Sequence, residues 1–279
     1  MNWRELLKDG KERLIRAEIE DAECDAWILL EYISGLDRAR FFLYEQETVP
    51  ADVITKYTEM LEQRSSHIPV QHLTGSQEFM GLEFMVTPDV LIPRQDTELL
   101  VETVLPYVKG KKVLDVCTGS GCIAISLALL GQTSAADAVD ISEKALNVAK
   151  INAGRLHAPV EFFKGDLLED IKGTYDVIVS NPPYIASGEL SKLMPEVHEH
   201  EPELALDGGT DGLEFYPRLL QEVRKHLVPG GIFAVEIGYD QGVAVREMFR
   251  RNHFEDAKCH QDLCGKDRVV IGRYRPGIL

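Results

Sequence analysis

Strands and helices alternate along the second part of this chain, and that alternation restricts the fold more than any other feature. Apolar segments with strand character occur at 112–117, 135–141, 160–164, 175–180, 232–237, 255–260 and 268–274. Helical patterns separate most of them, at 122–130, 143–153, 213–227 and 241–251. Such an order predicts an α/β fold with a doubly wound, mostly parallel sheet of seven strands. The last two strands have no helix between them, so we expect them to form an antiparallel edge.

The first part of the chain, residues 1–74, carries a helical pattern instead. Apolar side chains recur there at helical spacing, Ser34-Gly35 marks one helix end, and Asp37 is placed to cap another helix. Glycines and a proline then punctuate two short strand-like segments within 75–92, which predicts a β-hairpin linker. We therefore expect a helical domain at 1–74, the linker at 75–92 and the α/β domain at 93–279. The helical domain carries no cluster of catalytic residue types, so it is either a plain bundle or a module for substrate recognition.

A glycine-containing loop joins the first strand of the α/β domain to its first helix. The glycines allow the backbone to approach a ligand closely, and the helix that follows offers unpaired N–H groups at its start. The loop fits neither the G-x-G-x-x-G dinucleotide fingerprint nor a phosphate-binding loop that ends in Gly-Lys-Ser/Thr. Its residues are nevertheless candidates for binding a cofactor: Cys117, Thr118, Gly119, Ser120 and Gly121.

Acidic residues stand at the ends of the next two strands. Asp140 comes about 20 residues after the glycine loop, the spacing at which an acid binds ribose hydroxyls in nucleotide-binding folds. Asp166 follows the third strand, where a carboxylate can accept a hydrogen bond from an adenine amino group while Leu167 packs on the ring. Each acid taken alone is more simply a cap or a turn residue. Together with the glycine loop at successive strand ends, they predict a cofactor that contains adenosine.

The fourth strand is followed by Asn181-Pro182-Pro183-Tyr184. The prolines have no N–H group and fix φ, so the turn is stiff and its carbonyl groups are free to accept hydrogen bonds. The Asn181 side chain adds a further carbonyl acceptor. These groups suit the binding of a planar NH2 group beneath an aromatic ring. The simpler interpretation of the same residues is a stiff turn with an asparagine that caps a helix.

Together these motifs resemble those of class I S-adenosylmethionine-dependent methyltransferases. They are similar above all to the HemK/PrmC family, the N5-glutamine methyltransferases of peptide chain release factors, over essentially the whole chain. The segments that carry the resemblance are 77–79 with 81–82, 91–94 with 97–98, 115–121, 179–185, 201–202, 205–209 with 211–212, 229–231, 236–238 and 267–269. Those at 92–94 and 205–212 are specific to this family. The resemblance implies a class I methyltransferase fold with an N-terminal helical domain that recognises the substrate.

The resemblance also implies an activity. The methyl group of S-adenosyl-L-methionine would be transferred to the side-chain nitrogen of the glutamine in the Gly-Gly-Gln motif of class 1 release factors, leaving S-adenosyl-L-homocysteine. The implied cofactor-binding residues are Cys117, Thr118, Gly119, Ser120, Gly121, Asp140, Asp166, Leu167 and Asn181. The implied catalytic and substrate-binding residues are Asn181, Pro182, Pro183 and Tyr184. No metal is expected to take part.

The chain departs from the family pattern at two places. Cys117 stands where the family usually has the first glycine of its loop, and a thiol fits there if φ is negative. A reactive thiol is the weaker interpretation of Cys117, because nearby acids raise a thiol pKa. Gln95-Asp96 replaces the more usual Pro-Glu, which we expect a helix start to tolerate.

Further candidates lie outside the main motifs. The segment 186–212 is long and contains prolines and glycines, so we expect either an ordered lid that frames the release-factor site or a disordered insertion. Arg94 and Glu98 are expected to line the same crevice. Glu236 ends the fifth strand and is either a further site residue or a structural acid.

The charge of the chain disfavours binding to nucleic acid. Lys plus Arg number 30 and Asp plus Glu number 46, so the formal net charge is 30 − 46 = −16. Stable binding to a phosphate backbone needs basic patches, and the chain has no basic tail. Methylation of an exocyclic amino group on a DNA or RNA base nevertheless stays open, because such groups present a similar NH2. A non-catalytic cofactor-binding protein is a third possibility, which the intact Asn-Pro-Pro-Tyr sequence disfavours.

The remaining composition points to a cytoplasmic enzyme. The five cysteines are odd in number and form no Cys-x-x-Cys pair, so neither a disulfide framework nor a structural zinc site is expected. No apolar run approaches the ~20 residues that span a bilayer. The polar N-terminus lacks the apolar core of a signal peptide. We expect a monomer without a membrane anchor.

Overall fold

The computed structural model describes residues 1–277 of the 279-residue chain. These residues form two compact units. The first comprises Met1–Ser76 together with the short segment Met194–His200, and the second comprises the rest of the chain. The chain therefore leaves the second unit after Leu193 and returns to it at Glu201, an excursion that the sequence analysis did not anticipate.

The elements of the described residues are as follows. The α-helices are α1 (Trp3–Arg16), α2 (Ala22–Ser34), α3 (Arg38–Tyr44), α4 (Ala51–Ser65), α5 (Val70–Thr74), α6 (Gln95–Val104), α7 (Cys122–Gly131), α8 (Glu143–Leu156), α9 (Pro195–His198), α10 (Phe215–His226) and α11 (Gly242–Arg251). The strands are β1 (Ser76–Phe79), β2 (Leu82–Met85), β3 (Lys112–Val116), β4 (Ala135–Asp140), β5 (Val160–Lys164), β6 (Tyr175–Ser180), β7 (Leu227–Glu236), β8 (Phe254–Gln261) and β9 (Asp267–Tyr274). Short 3-10 helices cover Leu105–Tyr107, Ser187–Lys192 and Glu203–Ala205.

Two helices of the first unit, α1 and α3, begin at capping residues that the sequence supplies. The Asn2 side chain accepts a hydrogen bond from Glu5 N, and the Glu5 carboxylate accepts one from Asn2 N, so the start of α1 is a capping box. Asp37 caps α3 as predicted. The fully buried Tyr57 of α4 donates its hydroxyl to the backbone carbonyl of Ala26 in α2, at 2.8 Å. That bond satisfies the only polar group of the Tyr57 side chain within the apolar core of the bundle.

A buried ionic cluster holds α9 within this first unit. Arg64 is 5% exposed and donates hydrogen bonds to Asp25 at 2.7 Å and to Glu196 of α9 at 2.9 Å. His67 Nδ1 lies 3.0 Å from the same oxygen of Glu196. A buried guanidinium needs charged partners, because an unpaired charge in the interior is costly. Glu196 therefore fixes the excursion of the chain to the helical bundle.

The second unit contains a seven-stranded sheet in the order β5-β4-β3-β6-β7-β9-β8. The pairs from β5 to β7 are parallel, and β9 pairs antiparallel with both β7 and β8. The predicted doubly wound sheet with an antiparallel edge is thus confirmed. From β3 the chain first builds outward to β5 and then crosses to β6 on the other side. The carboxyl ends of β3 and β6 therefore flank the topological switch point, where open α/β sheets bind their ligands.

Both faces of the central strands are buried. In β6, Ile178 packs into one hydrophobic cluster, whereas Val177 and Val179 pack into another. The same alternation occurs in β7, where Phe233 and Ala234 point to opposite clusters. Successive side chains of a strand lie on opposite faces of a sheet, so a continuous apolar run is needed when helices cover both faces. This explains why the strands of this unit read as apolar runs in the sequence.

The hairpin that precedes the α/β region consists of β1 and β2. Its two turn residues, Met80 and Gly81, both have positive φ, at 54° and 73°, which is the requirement of a type I′ turn. The Met80 N–H donates a 2.6 Å hydrogen bond to Glu98 of α6. None of the helices within residues 1–277 is long and apolar enough to cross a membrane.

Candidate active site

A cavity opens at the carboxyl ends of β3, β4, β5 and β6 in the second unit. Most residues that the sequence predicted for the site line this cavity: Cys117, Thr118, Gly119, Ser120, Asp140, Asp166, Leu167, Asn181 and Pro183. Gly121, Pro182 and Tyr184 are not among its lining residues. Four separate loops thus converge on one cavity because the strands that carry them run parallel and side by side.

The glycine loop owes its shape to a buried acid. Asp115 is 0% exposed, and one of its oxygens accepts hydrogen bonds from the Thr118 hydroxyl at 2.6 Å and from Ala124 N at 3.2 Å. Burial raises the pKa of Asp115 to about 7, and these two hydrogen bonds partly oppose the rise. Asp115 therefore fastens the loop to the first turn of α7 rather than facing the cavity.

The two glycines of the loop have different tasks. A Cβ atom on Gly119 would meet nothing within 4 Å, so this residue exposes its backbone to open space. A Cβ atom on Gly121 would lie 3.1 Å from the Ala149 side chain, and φ at Gly121 is 82°. Gly121 thus allows α7 to begin in a left-handed conformation and to pack closely on α8. Its contribution to the cavity is indirect.

Cys117 does not meet the condition set by the sequence analysis. Its φ is 63°, in the left-handed region, whereas the thiol was expected to fit at negative φ. This region favours glycine, because Cβ crowds the carbonyl oxygen there at a cost of ~1–2 kcal/mol. Burial and the neighbouring Asp140 carboxylate raise the pKa of the Cys117 thiol. The residue is therefore a strained, protonated thiol on the cavity wall.

Asp140 is oriented by backbone N–H groups. One of its oxygens accepts from Gly119 N and the other from Ser142 N, each at 2.8 Å. Burial raises the pKa of Asp140, and the two hydrogen bonds act in the opposite direction. A carboxylate has about four acceptor positions, so lone pairs remain for further donors. Ser142 caps α8 by accepting from Ala145 N, which relieves Asp140 of the capping task.

Asp166 has a partner that the sequence analysis did not identify. Arg218 of α10 donates a 2.7 Å hydrogen bond to one oxygen of Asp166, and both residues line the cavity. Leu167, which follows, is buried and has φ of 52°. The second oxygen of Asp166 accepts no hydrogen bond from the described residues, and the apolar Leu167 follows it in the chain.

The Asn181-Pro182-Pro183-Tyr184 turn is tied to the protein by two side chains. Asn181 Nδ2 donates to the hydroxyl of the buried Thr97, at 3.2 Å. The Tyr184 hydroxyl donates to Glu236 Oε1 at 3.1 Å, and the Tyr184 ring packs against the core. The Asn181 amide nitrogen is therefore bound on the protein side, while its side-chain oxygen accepts no hydrogen bond from the described residues.

The glycines of the 205–212 segment permit a close approach to this turn. A Cβ atom on Gly208 would lie 2.7 Å from Tyr184 Cα and 2.9 Å from its carbonyl carbon. A Cβ atom on Gly212 would collide with the Tyr184 carbonyl oxygen. Backbone hydrogen bonds from Gly208 N to Ile185 O and from Ile185 N to Leu206 O join the two segments. Gln241 Nε2 completes the contact by donating to the Tyr184 carbonyl at 2.9 Å.

Arg94 and Glu98, the two further candidates near α6, occupy different places in the structure. Arg94 lines the cavity and donates a 2.5 Å hydrogen bond to Glu201, whose side chain is almost fully buried. Burial raises the pKa of Glu201, and Arg94 acts against that rise. Glu98 is not among the lining residues and instead accepts from the hairpin at Met80. Glu98 therefore lies outside this cavity, and its place beside a bound release factor stays a prediction.

Comparison with known proteins assigns the chain to a family. The model of the PrmC N-terminal domain matches residues 5–75, and that of the methyltransferase small domain matches residues 94–201. The release factor glutamine methyltransferase of Koribacter versatilis is 41% identical over 278 residues, which cover 98% of this chain and 99% of that protein. The chain belongs to the release factor glutamine methyltransferase family. It is an enzyme of the methyltransferase class, as its sequence predicted.

Solved structures show that the fold extends well beyond the release factor glutamine methyltransferases. A methyltransferase from Pyrococcus furiosus matches with a TM-score of 0.58 and 22% identity, covering 77% of this chain and all of that chain. The 16S rRNA N2 G1207 methyltransferase of T. thermophilus, solved with AdoMet and guanosine, matches with a TM-score of 0.52 and 18% identity. The match covers 72% of this chain and 50% of that chain. At such identities the matches establish the class I methyltransferase fold alone.

Sequence reasoning missed several residues of this family member that contact the site. Ile141 lines the cavity directly after Asp140 and is 47% exposed. The only signal in the sequence was an apolar residue between a strand end and a helix cap. Thr97 was included in the family signature without a role. Phe215 and Arg218 of α10 gave no signal, because about 50 residues separate them from the loop that they meet.

Proposed function

We propose that this enzyme transfers the methyl group of S-adenosyl-L-methionine to the side-chain nitrogen of the glutamine in the Gly-Gly-Gln motif of class 1 release factors. The family supports a release factor glutamine as the substrate. The observation that carries the assignment to these residues is the fixed Asn181 carboxamide. Because Thr97 binds its nitrogen, its oxygen is left as the acceptor for an incoming NH2 group.

The cavity suits an adenosine-containing methyl donor. Asp140 is held by two backbone N–H groups and keeps lone pairs for ribose hydroxyls. Asp166 and Leu167 offer an acceptor and an apolar surface for an adenine ring, and the open side of Gly119 leaves room beside the backbone. When bound, S-adenosyl-L-methionine supplies an electrophilic methyl group on a sulfonium. We assign cofactor binding to these residues together with Cys117, Thr118, Ser120 and Asn181.

The protein's own task is to orient a poor nucleophile. The lone pair of an amide nitrogen is delocalised into its carbonyl group, so that nitrogen attacks only when it is well placed. The Asn181 oxygen and the carbonyl oxygen of Pro182 or Pro183 would each accept one of its N–H bonds. Positioning of this kind can supply ~7–11 kcal/mol of the barrier, and fixed dipoles stabilise the charge as it redistributes. Stacking of the Tyr184 ring on the substrate amide stays a prediction.

One assay tests this function and its alternative. Transfer of labelled methyl groups is measured to a purified release factor, to the same factor with the Gly-Gly-Gln glutamine replaced, and to DNA and RNA. Asn181→Ala should abolish transfer while S-adenosyl-L-homocysteine binding stays within a few-fold of wild type. Asn147→Ala, on the exposed side of α8, is the matched control and should be active. Near-normal turnover by Asn181→Ala would refute the assignment, and labelling of DNA or RNA alone would favour base methylation.

We further propose that the helical domain, residues 1–74, recognises the release factor and that the enzyme acts as a cytoplasmic monomer. Phe42 and Leu43 of α3 support the first proposal, because they are 70% and 76% exposed and large exposed apolar side chains often mark binding surfaces. Replacing both with serine should raise KM for the release factor and leave kcat unchanged. An unchanged KM would speak against this surface, and light scattering would test the monomer.

A further inference from the structure

The orientation of the Asn181 carboxamide decides what this side chain offers to a substrate. Its oxygen accepts a hydrogen bond, whereas its nitrogen donates two, and the two ends have nearly the same size. An NH2 group of a substrate meets a partner only if the oxygen faces it. Shape alone cannot select between the two orientations, so a hydrogen-bonding partner on the protein side must do so.

Thr97 is that partner. Its hydroxyl accepts the Asn181 Nδ2–H at 3.2 Å, and it also faces the carboxyl group of Glu236. A hydroxyl has a single proton to donate. When that proton is directed to a Glu236 carboxylate, the Thr97 oxygen is available only as an acceptor. The Asn181 side chain must then turn its nitrogen toward Thr97 and its oxygen away from it.

Glu236 is otherwise unexplained by the proposed chemistry. It is 1% exposed, and its Oε1 accepts from the Tyr184 hydroxyl at 3.1 Å. Its Oε2 is buried and has no hydrogen-bond partner among the described residues. A buried carboxylate oxygen without a partner is costly and calls for a reason. Its position beside both Thr97 and Tyr184 connects it to the two ends of the Asn-Pro-Pro-Tyr turn.

We propose that Glu236 is a positioning residue, which acts through Thr97 to hold the Asn181 carboxamide with its oxygen toward the substrate nitrogen. This inference rests on the proposed role of Asn181 as an acceptor. Under this proposal the orientation of the Asn181 carboxamide depends on the protonation of Glu236. A protonated Glu236 can donate to Thr97, and the Thr97 hydroxyl is then free to donate to Asn181 Oδ1. The carboxamide would be reversed, and its NH2 group would face the NH2 group of the substrate.

The charged surroundings of Glu236 place this switch near neutral pH. Burial raises the pKa of Glu236 to about 7; Asp96 of α6 adds to the rise, whereas Thr97, Tyr184 and Arg268 of β9 lower it. Arg268 is itself paired with Asp96 and Asp262, each at 2.9 Å. The other titratable groups that interact with Glu236 are Cys122 of α7 and Tyr216 of α10, whose pKa values are raised. Neither of these two ionises near neutral pH. The pKa of Asp115, beneath the glycine loop, is also raised to about 7, so the Glu236→Gln variant is needed to separate its titration from that of Glu236.

The experiment compares Thr97→Val, Thr97→Ser and Glu236→Gln in the full-length enzyme with a purified release factor. Thr97→Val keeps the shape but removes the hydroxyl, and it should lower kcat about tenfold or more, as expected for loss of one orienting hydrogen bond. Binding of S-adenosyl-L-homocysteine should stay close to wild type. Thr97→Ser restores the hydroxyl and should recover most of kcat. A purely structural role would lower thermal stability without this separation between valine and serine.

The pH profile supplies the second readout. In the wild type, kcat should rise as pH increases through about 7, because only ionised Glu236 keeps the Asn181 oxygen toward the substrate. The amide side chain of Glu236→Gln cannot titrate, so this variant should lose the rise in kcat near pH 7. Glu102→Gln, an exposed change on α6, should retain that rise. Normal kcat in Thr97→Val, or an unchanged rise in Glu236→Gln, would overturn the proposal. If Thr97→Val does not fold, the Glu236→Gln profile decides.

These outcomes are distinguishable from failure of the proposed function. If Asn181→Ala is active, the role of Asn181 as the acceptor is wrong, and the positioning role of Glu236 and Thr97 is then wrong as well. If Asn181→Ala is inactive while Thr97→Val and Glu236→Gln behave as wild type, the proposed function is supported and only the positioning role of Glu236 and Thr97 is wrong.

Discussion

The contact between Gly208 and the backbone of Tyr184 provides a sharp test of how the site is held. In Gly208→Ala the added methyl group would lie 2.7 Å from Tyr184 Cα, whereas ordinary contact begins near 3.4 Å. The difference, 3.4 − 2.7 = 0.7 Å, must be absorbed by backbone, because neither Tyr184 Cα nor its carbonyl carbon belongs to a flexible side chain. Gly208 is not in the left-handed region, so alanine adds no strain in φ, and this steric displacement is the main effect of the change on the folded state.

A displacement of about 0.7 Å at the Asn-Pro-Pro-Tyr turn should mostly affect the chemical step. A misplacement of ~1 Å costs ~100-fold in rate when geometry supplies the catalysis, so we expect kcat to fall ~10–100-fold. The free energy of unfolding should fall by ~1–3 kcal/mol, as is usual for an overpacked interior. Binding of S-adenosyl-L-homocysteine should change little, because Gly208 does not line the cavity.

The assay measures initial rates with a release factor at saturating cofactor, together with calorimetric binding of S-adenosyl-L-homocysteine and urea denaturation. Gly188→Ala is the matched control, because it lies in the same segment, is not left-handed, and a Cβ there meets nothing within 4 Å. A Gly208→Ala enzyme with the same kcat as Gly188→Ala would refute the idea that Gly208 sets the position of the turn.

Other features of the structure lead to three further predictions. Cys117→Gly should raise the free energy of unfolding by up to ~1 kcal/mol in urea denaturation, because it relieves a left-handed φ of 63°; a loss of stability would contradict this. Burial raises the pKa of Asp115 and Glu236 to about 7, from 3.8 and 4.5, so the folded state binds their protons more tightly than the unfolded state. The free energy of unfolding should therefore decrease as pH rises from about 4.5 to 7, and Glu236→Gln should make this slope shallower in denaturation series at several pH values. Asp166→Asn should weaken S-adenosyl-L-homocysteine binding ~10-fold in calorimetry, because it changes the group that we propose accepts from the adenine amino group, whereas Arg218→Met, which removes only the partner of Asp166, should have a smaller effect.

The sequence by itself determined the sheet and the edge at which the site lies. Strand and helix periods are local properties, and parallel strands carry their carboxyl ends to one edge, so Asp140, Asp166 and Asn181 were placed together by pattern alone. The motif residues also specified the family, because short signatures such as 205–212 are read directly from the sequence.

Only the tertiary structure decided which groups these residues meet. Thr97 and Asn181 are 84 positions apart, and Arg218 and Asp166 are 52 apart, so no local period connects either pair. The sequence likewise did not predict the left-handed conformation of Cys117 or the place of Met194–His200 in the first unit. A side chain's hydrogen-bonding partner depends on how distant segments pack against it, and a buried group such as Glu236 acquires its raised pKa only from that packing.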